Sequence, residues 1–332
     1  MIGFNVVSTL PLLSGKDREL WFVAQGRFEA IPWIDNISGI LAAVVCLAAI
    51  VWLVRRKQIQ TTMGSRTTPV FVLAVASISA VAMPVGGYWD ISFHSESGRE
   101  TFFSPPHLLI YGGILLALLA VLISLVRKPK EVTWSENFYQ DKAVAIAAIA
   151  ILFLLGSAPF DELWHFMFGL DVSVWSPPHA VLIFGGVTLF LALASIHVRK
   201  EGPATVLFRG LALAGALLAA EVFLAESEFP FPSWHSSQFR PQFVYPFFLF
   251  LFGLVVGLTA KRSLAFRFGA VLTVALFLLL RLMIYPVLML AERANAPRFS
   301  LWLVVLLFLA VFVDWFAKTK VGSSSMTKML PG

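Results

Sequence analysis

The sequence predicts an all-α fold, a polytopic bundle of membrane-spanning helices, and three observations predict it. Hydrophobic residues make up 58% of the 332-residue chain and charged residues 13%, with a mean hydropathy of +0.83, which leaves too little charge for a water-exposed surface. Apolar runs of about 20 residues, enough to cross a hydrocarbon layer roughly 30 Å thick, recur along the whole chain. Lys and Arg gather at alternate ends of those runs.

Nine spans are expected, at about 36–54, 68–88, 106–126, 142–160, 178–197, 204–225, 243–260, 266–290 and 299–317. Before them, Lys16, Asp17, Arg18 and Glu19 precede any long apolar run, so the N-terminus does not read as a cleavable signal. Residues 1–35 form an interfacial segment, with Trp21 and Trp33 at headgroup level. Arg55, Arg56, Lys57 and Arg66 follow the first span, and Arg127, Lys128, Lys130 and Lys142 separate the third from the fourth. Arg199, Lys200 and Arg209 lie between the fifth and sixth, and Lys261, Arg262 and Arg267 between the seventh and eighth. Lys318, Lys320 and Lys328 follow the ninth. The positive-inside rule makes all of these cytoplasmic, which puts the N-terminus outside and the polar, disordered tail 321–332 inside. The net charge of +6 is thus spread over helix ends rather than clustered with exposed aromatics, and nucleic-acid binding is excluded.

One domain, 36–320, contains an internal repeat with a period of about 71 residues. An apolar helix ends in D-x3-H, a loop follows, and S-P-P-H opens the next helix. The first copy, within the hairpin 68–126, carries Asp90, His94 and His107; the second, within 142–197, carries Asp161, His165 and His179. Four of the six histidines fall in these two triplets. A degenerate third copy spans 204–260, where His235 survives and Phe247 replaces the second His; extra spans fill 266–317. The connecting loops, about 89–105, 161–177 and 226–242, are expected on the outer face. Gly112-Gly113 and Gly185-Gly186 let neighbouring helices approach at equivalent places.

Residues four apart share a helix face, so Asp90 with His94, and Asp161 with His165, converge if the helix continues through them. The prolines of S-P-P-H suit a helix start and return His107 and His179 from the first turn of the next span. One carboxylate and two imidazoles leave coordination positions open, as in reactive rather than structural metal sites. Cys46 is the only cysteine and lies in the first span, so no thiolate site is available. Copper is favoured on intrinsic affinity, while zinc and iron also accept this donor set. The competing account is a pair of hydrogen-bonded polar groups at helix ends near water. Duplication of the pattern, and the cost of ionisable groups at membrane depth, favour metal.

At these residues the chain resembles the C subunit of the copper-containing membrane monooxygenases, the particulate methane and ammonia monooxygenase group. That subunit carries D-x3-H-x12-H and, farther on, N-x3-H-x13-H. Asp90-x3-His94-x12-His107 is similar to the first and Asp161-x3-His165-x13-His179 to the second in spacing. Ser104-Pro105-Pro106-His107 stands where a T-P-S-H-like run is expected, and Val181-Leu182-Ile183-Phe184-Gly185 is similar to the stretch after the later His. The likeness covers residues 68–190. It implies two copper sites on the membrane-embedded part of a multi-subunit enzyme that hydroxylates small apolar or nitrogenous substrates with O2, with further subunits or a homo-oligomer as partners. Asp161 departs from the usual Asn, and about four spans extend beyond the second triplet.

Other residues invite assignment. Glu221 and Arg281, both inside spans, are expected to form an ion pair that fixes helix packing. Glu226, Glu228 and His235 share the third outer loop, either as an accessory metal site or as an ordinary solvated loop. Glu96, Arg99 and Glu100 read as solvated, and Asp314 as reaching water beside Lys318. Phe102, Phe103, Trp164, Phe166, Phe168 and Trp175 either wall an apolar substrate pocket or mark the membrane interface.

Three function classes follow: a copper-dependent monooxygenase or its metal-bearing subunit; an outer-face protein that binds or transports copper or another divalent ion; and a zinc-dependent membrane hydrolase with Glu162 as base. Transport requires ligands through the depth of the membrane, and the spans carry no further His or Met ladder below the triplets.

Overall fold

A computed structural model describes residues 68–97, 102–126, 141–168, 174–198, 201–229, 243–264 and 266–317, with isolated helical positions between 37 and 48. The described residues form helices α1 (Val70–Ser97), α2 (Pro105–Val126), α3 (Lys142–Phe168), α4 (Pro177–Ala194), α5 (Pro203–Val222), α6 (Val244–Ser263), α7 (Gly269–Leu290) and α8 (Leu301–Phe316). Ala225–Ser227 adds a 3-10 turn. No strand occurs among them; Thr68 and Val198 make one isolated bridge.

Seven of these helices, α1 to α7, are long and apolar enough to cross a membrane. The helix at the predicted ninth span is shorter, 16 residues. The predicted first span, the interfacial segment and the tail lie outside the described residues, apart from the isolated positions. Helices are the physically required answer, since lipid offers no partner to backbone N–H and C=O groups. Exposed apolar side chains cover the outer faces, among them Leu115 and Leu119 on α2, Leu152 and Phe153 on α3, and Phe308 and Phe312 on α8. Such surfaces suit contact with lipid chains and give the bundle the character of an integral membrane protein.

The bundle is built on α1, α4 and α5, which touch one another, with α5 most deeply buried. Hairpins α1–α2 and α3–α4 meet through α2 and α3, while α6, α7 and α8 pack together and rest on α5. Pro84 has no N–H to give the Ala80 carbonyl, and that carbonyl lies where a side chain at Gly215 would need to be, so α1 and α5 cross closely. One end of the bundle gathers the acid–histidine residues and the other gathers basic residues.

At the basic end, Arg209 donates to Glu201, the Ser263 carbonyl and the Ile196 carbonyl. Asp314 does not depend on water beside Lys318, as the sequence suggests. It is buried, lies 3.5 Å from Lys261 Nζ and accepts from the Ala270 and Val271 amides at 3.2 and 2.9 Å. Those amides open α7 and have no intrahelical acceptor, so a carboxylate there contributes about 0.5–2 kcal/mol.

Candidate metal centre

Helix α1 runs through Asp90 and His94 to Ser97, so the carboxylate and the first imidazole are not in a loop, as the expected boundary at 89 implies, but on one face of a regular helix. The same holds for α3, which continues through Asp161 and His165 to Phe168. Helix α2 starts at S-P-P-H: the Ser104 carbonyl accepts from the Leu108 amide at 2.9 Å, and Pro105 and Pro106 occupy positions that need no intrahelical donor. His107 therefore sits in the first turn. Helix α4 repeats this, with the Ser176 carbonyl accepting from the Ala180 amide at 2.9 Å. The positive end of a helix dipole disfavours imidazolium and favours the neutral, metal-ligating ring.

In the first triplet Asp90 Oδ2 stands 3.3 Å from His94 Nδ1, and Oδ1 stands 3.0 Å from His107 Nε2. One ligand atom from each residue falls within 4.8 Å of the others, the single such group among the described residues. The two imidazoles are 6.0 Å apart between ring centres. Asp90 Oδ1 is buried, and its contact with His107 lacks hydrogen-bond alignment. A buried carboxylate oxygen facing two imidazole nitrogens is a donor set that fits a divalent or monovalent copper, zinc or iron ion.

Close helix approach makes this possible. A Cβ at Gly86, one turn before Asp90, would stand 2.7 Å from Ile110 Cγ1 and 3.2 Å from the Pro106 carbonyl. A Cβ at Gly113 would stand 2.4 Å from Met83 Cγ, and Ser79 Oγ donates to the Gly113 carbonyl at 2.7 Å. Gly112, predicted to share this duty, meets nothing within 4 Å.

In the second triplet Asp161 Oδ1 lies 3.5 Å from His179 Nε2. His165 lies in α3, and its side chain is outside the described residues. Tyr111 on α2 packs against His107, ring centres 6.0 Å apart, and is within electrostatic reach of both Asp90 and Asp161, so the two triplets occupy one end of the bundle.

Of the two readings of Glu226, Glu228 and His235, the solvated loop does not hold for the glutamates. Both glutamates are buried: Glu226 accepts from the Val174 amide, and Glu228 from Tyr245 and Arg281 at 2.6 and 2.9 Å. His235 lies outside the described residues. Arg281 Nε is 3.2 Å from Glu221, so the pair expected from the sequence is part of a larger cluster with Glu228. Sequence pattern gave no sign that Glu228 joins this pair, because a loop glutamate ordinarily faces water.

The flanking aromatics divide. Trp175 is buried, stacks on Phe223 at 4.3 Å and donates to the Phe223 carbonyl at 2.6 Å, so it belongs to the packing core. Phe102 and Phe103 are exposed, and Phe102 leans on Tyr111 at 5.2 Å beside the first triplet. Trp164 pairs with Phe160; Phe166 and Phe168 have side chains outside the described residues. Glu96, expected to be solvated, accepts from the Asn295 amide at 2.6 Å and faces Arg293; Arg99 and Glu100 lie outside the described residues. Glu162 is exposed. No protein-family model, curated protein or solved structure matches this chain.

Proposed function

We propose that this chain is the metal-bearing membrane component of a copper-dependent monooxygenase, akin to the C subunit it resembles, and acts on a small apolar or nitrogenous substrate with O2. The observation that carries the reading is the meeting of Asp90, His94 and His107 donor atoms within 4.8 Å. Copper, when bound, supplies open coordination and the redox chemistry that O2 activation needs. The protein's part is positional. Asp90 contributes the negative charge, and α1 holds it one turn from His94. The proline-led start of α2 holds His107 against it. Tyr111 and Phe102 wall the side toward α2, and the exposed Phe102 and Phe103 offer an apolar approach from the bilayer.

Asp161, His165 and His179 form the second metal site in this reading. The basic end of the bundle, with Arg262 and Arg267, is cytoplasmic and the triplets face outward, which places the N-terminus outside and the C-terminal tail inside. Nine spans satisfy that topology. Companion subunits or further copies of the chain are its partners in this reading, and an external two-electron reductant takes the second oxygen atom to water.

The test is metal content and turnover of the purified protein in lipid. Copper should bind in preference to zinc or iron and be lost in His107→Ala, and label from 18O2 should enter a hydroxylated small alkane or ammonia-derived product. Full copper retention in His107→Ala and His179→Ala sinks the ligand assignment. Zinc without oxygen-dependent product sinks the monooxygenase.

A further inference from the structure

Away from the triplets, a cluster of ionisable groups lies wholly inside the bundle. Arg281 on α7 and Glu221 on α5 are both 0% exposed, and Glu228, from the segment after α5, is 2% exposed. Arg281 Nε donates to Glu221 Oε1 at 3.2 Å, and Nη2 donates to Glu228 Oε2 at 2.9 Å and to the Arg298 carbonyl at 3.2 Å. Tyr245 on α6 donates to Glu228 Oε1 at 2.6 Å, and Tyr88 on α1 donates to Glu228 Oε2 at 3.3 Å. The Tyr88 and Tyr285 rings lie 5.0 and 5.9 Å from the guanidinium carbon. Tyr285 gives its own hydroxyl to the Pro297 carbonyl.

Charge does not balance in this inventory. Two carboxylates meet one guanidinium, and a phenol can add no positive charge. Arg298, on the segment before α8, meets the cluster through its backbone, its amide donating to the Glu228 carbonyl, while the residue itself is exposed. An uncompensated negative charge in a buried site is costly. Hydrogen bonding is unbalanced in the same place: Glu221 Oε2 and Arg281 Nη1 are both buried without a hydrogen-bond partner. Two carboxyl groups held on one guanidinium can hydrogen-bond to each other only with a proton between them. Burial, and then the Glu221 charge, hold Glu228 well above the usual carboxylate range.

We propose that Glu221 and Glu228 together bind one proton at neutral pH, forming with Arg281 a neutral proton-binding site in the interior of the bundle. The excess charge and the unsatisfied oxygen are resolved by the same proton. This site is independent of the metal-binding reading. Stability follows the raised carboxyl: its contribution is complete below the unfolded glutamate pKa of about 4.3 and is lost as pH rises through the folded value.

Infrared spectroscopy of the full chain in lipid, labelled with 13C-glutamate, tests this. A protonated carboxylic acid has a C=O stretch that carboxylates lack, and H2O-to-D2O exchange shifts it. The wild-type protein should show this band at neutral pH. Glu221→Gln and Glu228→Gln should each abolish it, because either change leaves one carboxylate to pair with Arg281. Both single variants keep a neutral cluster and should fold, whereas Glu221→Gln/Glu228→Gln together should lose thermal stability by stranding Arg281. If a single variant fails to fold, the labelled wild-type band alone decides. Absence of the band in wild type, its survival in both variants, or its loss in only one overturns the shared proton.

Discussion

In the first hairpin the face of α1 turned to α2 reads Ser79, Met83, Gly86, Asp90; in the second the face of α3 turned to α4 reads Ala150, Leu154, Ser157, Asp161, each 71 residues later. The partner helices answer with Gly113 and Gly185. A Cβ on Gly113 would lie 3.4 Å from the Ser79 carbonyl, and one on Gly185 would lie 3.9 Å from the equivalent Ala150 carbonyl. The second hairpin is wider at the same rung. One turn below the carboxylate the first hairpin has glycine, while the second has a buried serine. At the ligands the consequence is 3.0 Å between carboxylate and imidazole in the first and 3.5 Å in the second. The two ligand sets share D-x3-H and differ by one residue before the last imidazole, x12 against x13, and the small residues beneath set how closely the helices approach.

The sharpest way to break this comparison is to remove the ligand that each second helix contributes. His107→Ala should weaken metal binding at the first site more than about a hundredfold, beyond the usual 10–100-fold cost of losing an outer partner. His179→Ala should leave that tightest ion in place and remove only a weaker one. Chelator-competition titration with metal counting checks both. Loss of the tightest ion from His179→Ala would reverse the ranking of the two hairpins.

Next in size, Gly86→Val attacks the approach without touching a ligand. The new side chain meets Ile110 and the Pro106 carbonyl, and overpacking of this kind costs about 1–3 kcal/mol. Metal affinity at the first site should fall about 10–100-fold, since His107 is carried by the displaced turn. A melting curve measured with and without metal separates the two effects. Unchanged affinity would mean that helix approach does not govern the site.

Both the helices and the first triplet were legible in the sequence because their signals are local. Long apolar runs leave backbone no alternative to helix, and D-x3-H is a statement about one helix face. The pairing of Glu221 with Arg281 was readable for a related reason, since a lone charge inside a span demands a partner. Glu228 was not. Its burial depends on Tyr245, Arg281 and the chain near Arg298 coming together from separate segments, and no periodicity encodes that. The loop bounds at 89–105 and 161–177 begin too early, whereas the continuation of helix through D-x3-H, on which the ligand convergence depends, is met in α1 and α3. Trp175 read as a pocket wall or a mark of the membrane interface, and Phe223 with its carbonyl instead holds it in the packing core.

A gentler change works in the opposite direction. Ser157→Gly should let α3 settle closer to α4 and strengthen the second site by less than about tenfold, while the added glycine destabilises the helix by about 0.5–1 kcal/mol. Tighter metal binding together with a lower melting temperature is the expected signature. Weaker binding would show that the second hairpin is held open by something other than this serine.

The smallest effect expected is from Asp161→Asn, which installs the residue that the resembling subunit family carries at this place. Asp161 is more exposed than Asp90, 31% against 17%, and lies farther from the imidazole on the facing helix, 3.5 Å against 3.0 Å. Exposure lets water screen the charge that is removed, and the amide keeps an oxygen donor in the same position. Hydrogen bonds to charged groups are worth about 1.5–3 kcal/mol when shielded, and 1.4 kcal/mol is tenfold in affinity. Asp90→Asn should therefore weaken the first site about tenfold or more, and Asp161→Asn should weaken the second by less than about tenfold. Paired titrations of the two variants with copper decide the matter, and equal losses would mean that the two carboxylates do the same work despite their different seats.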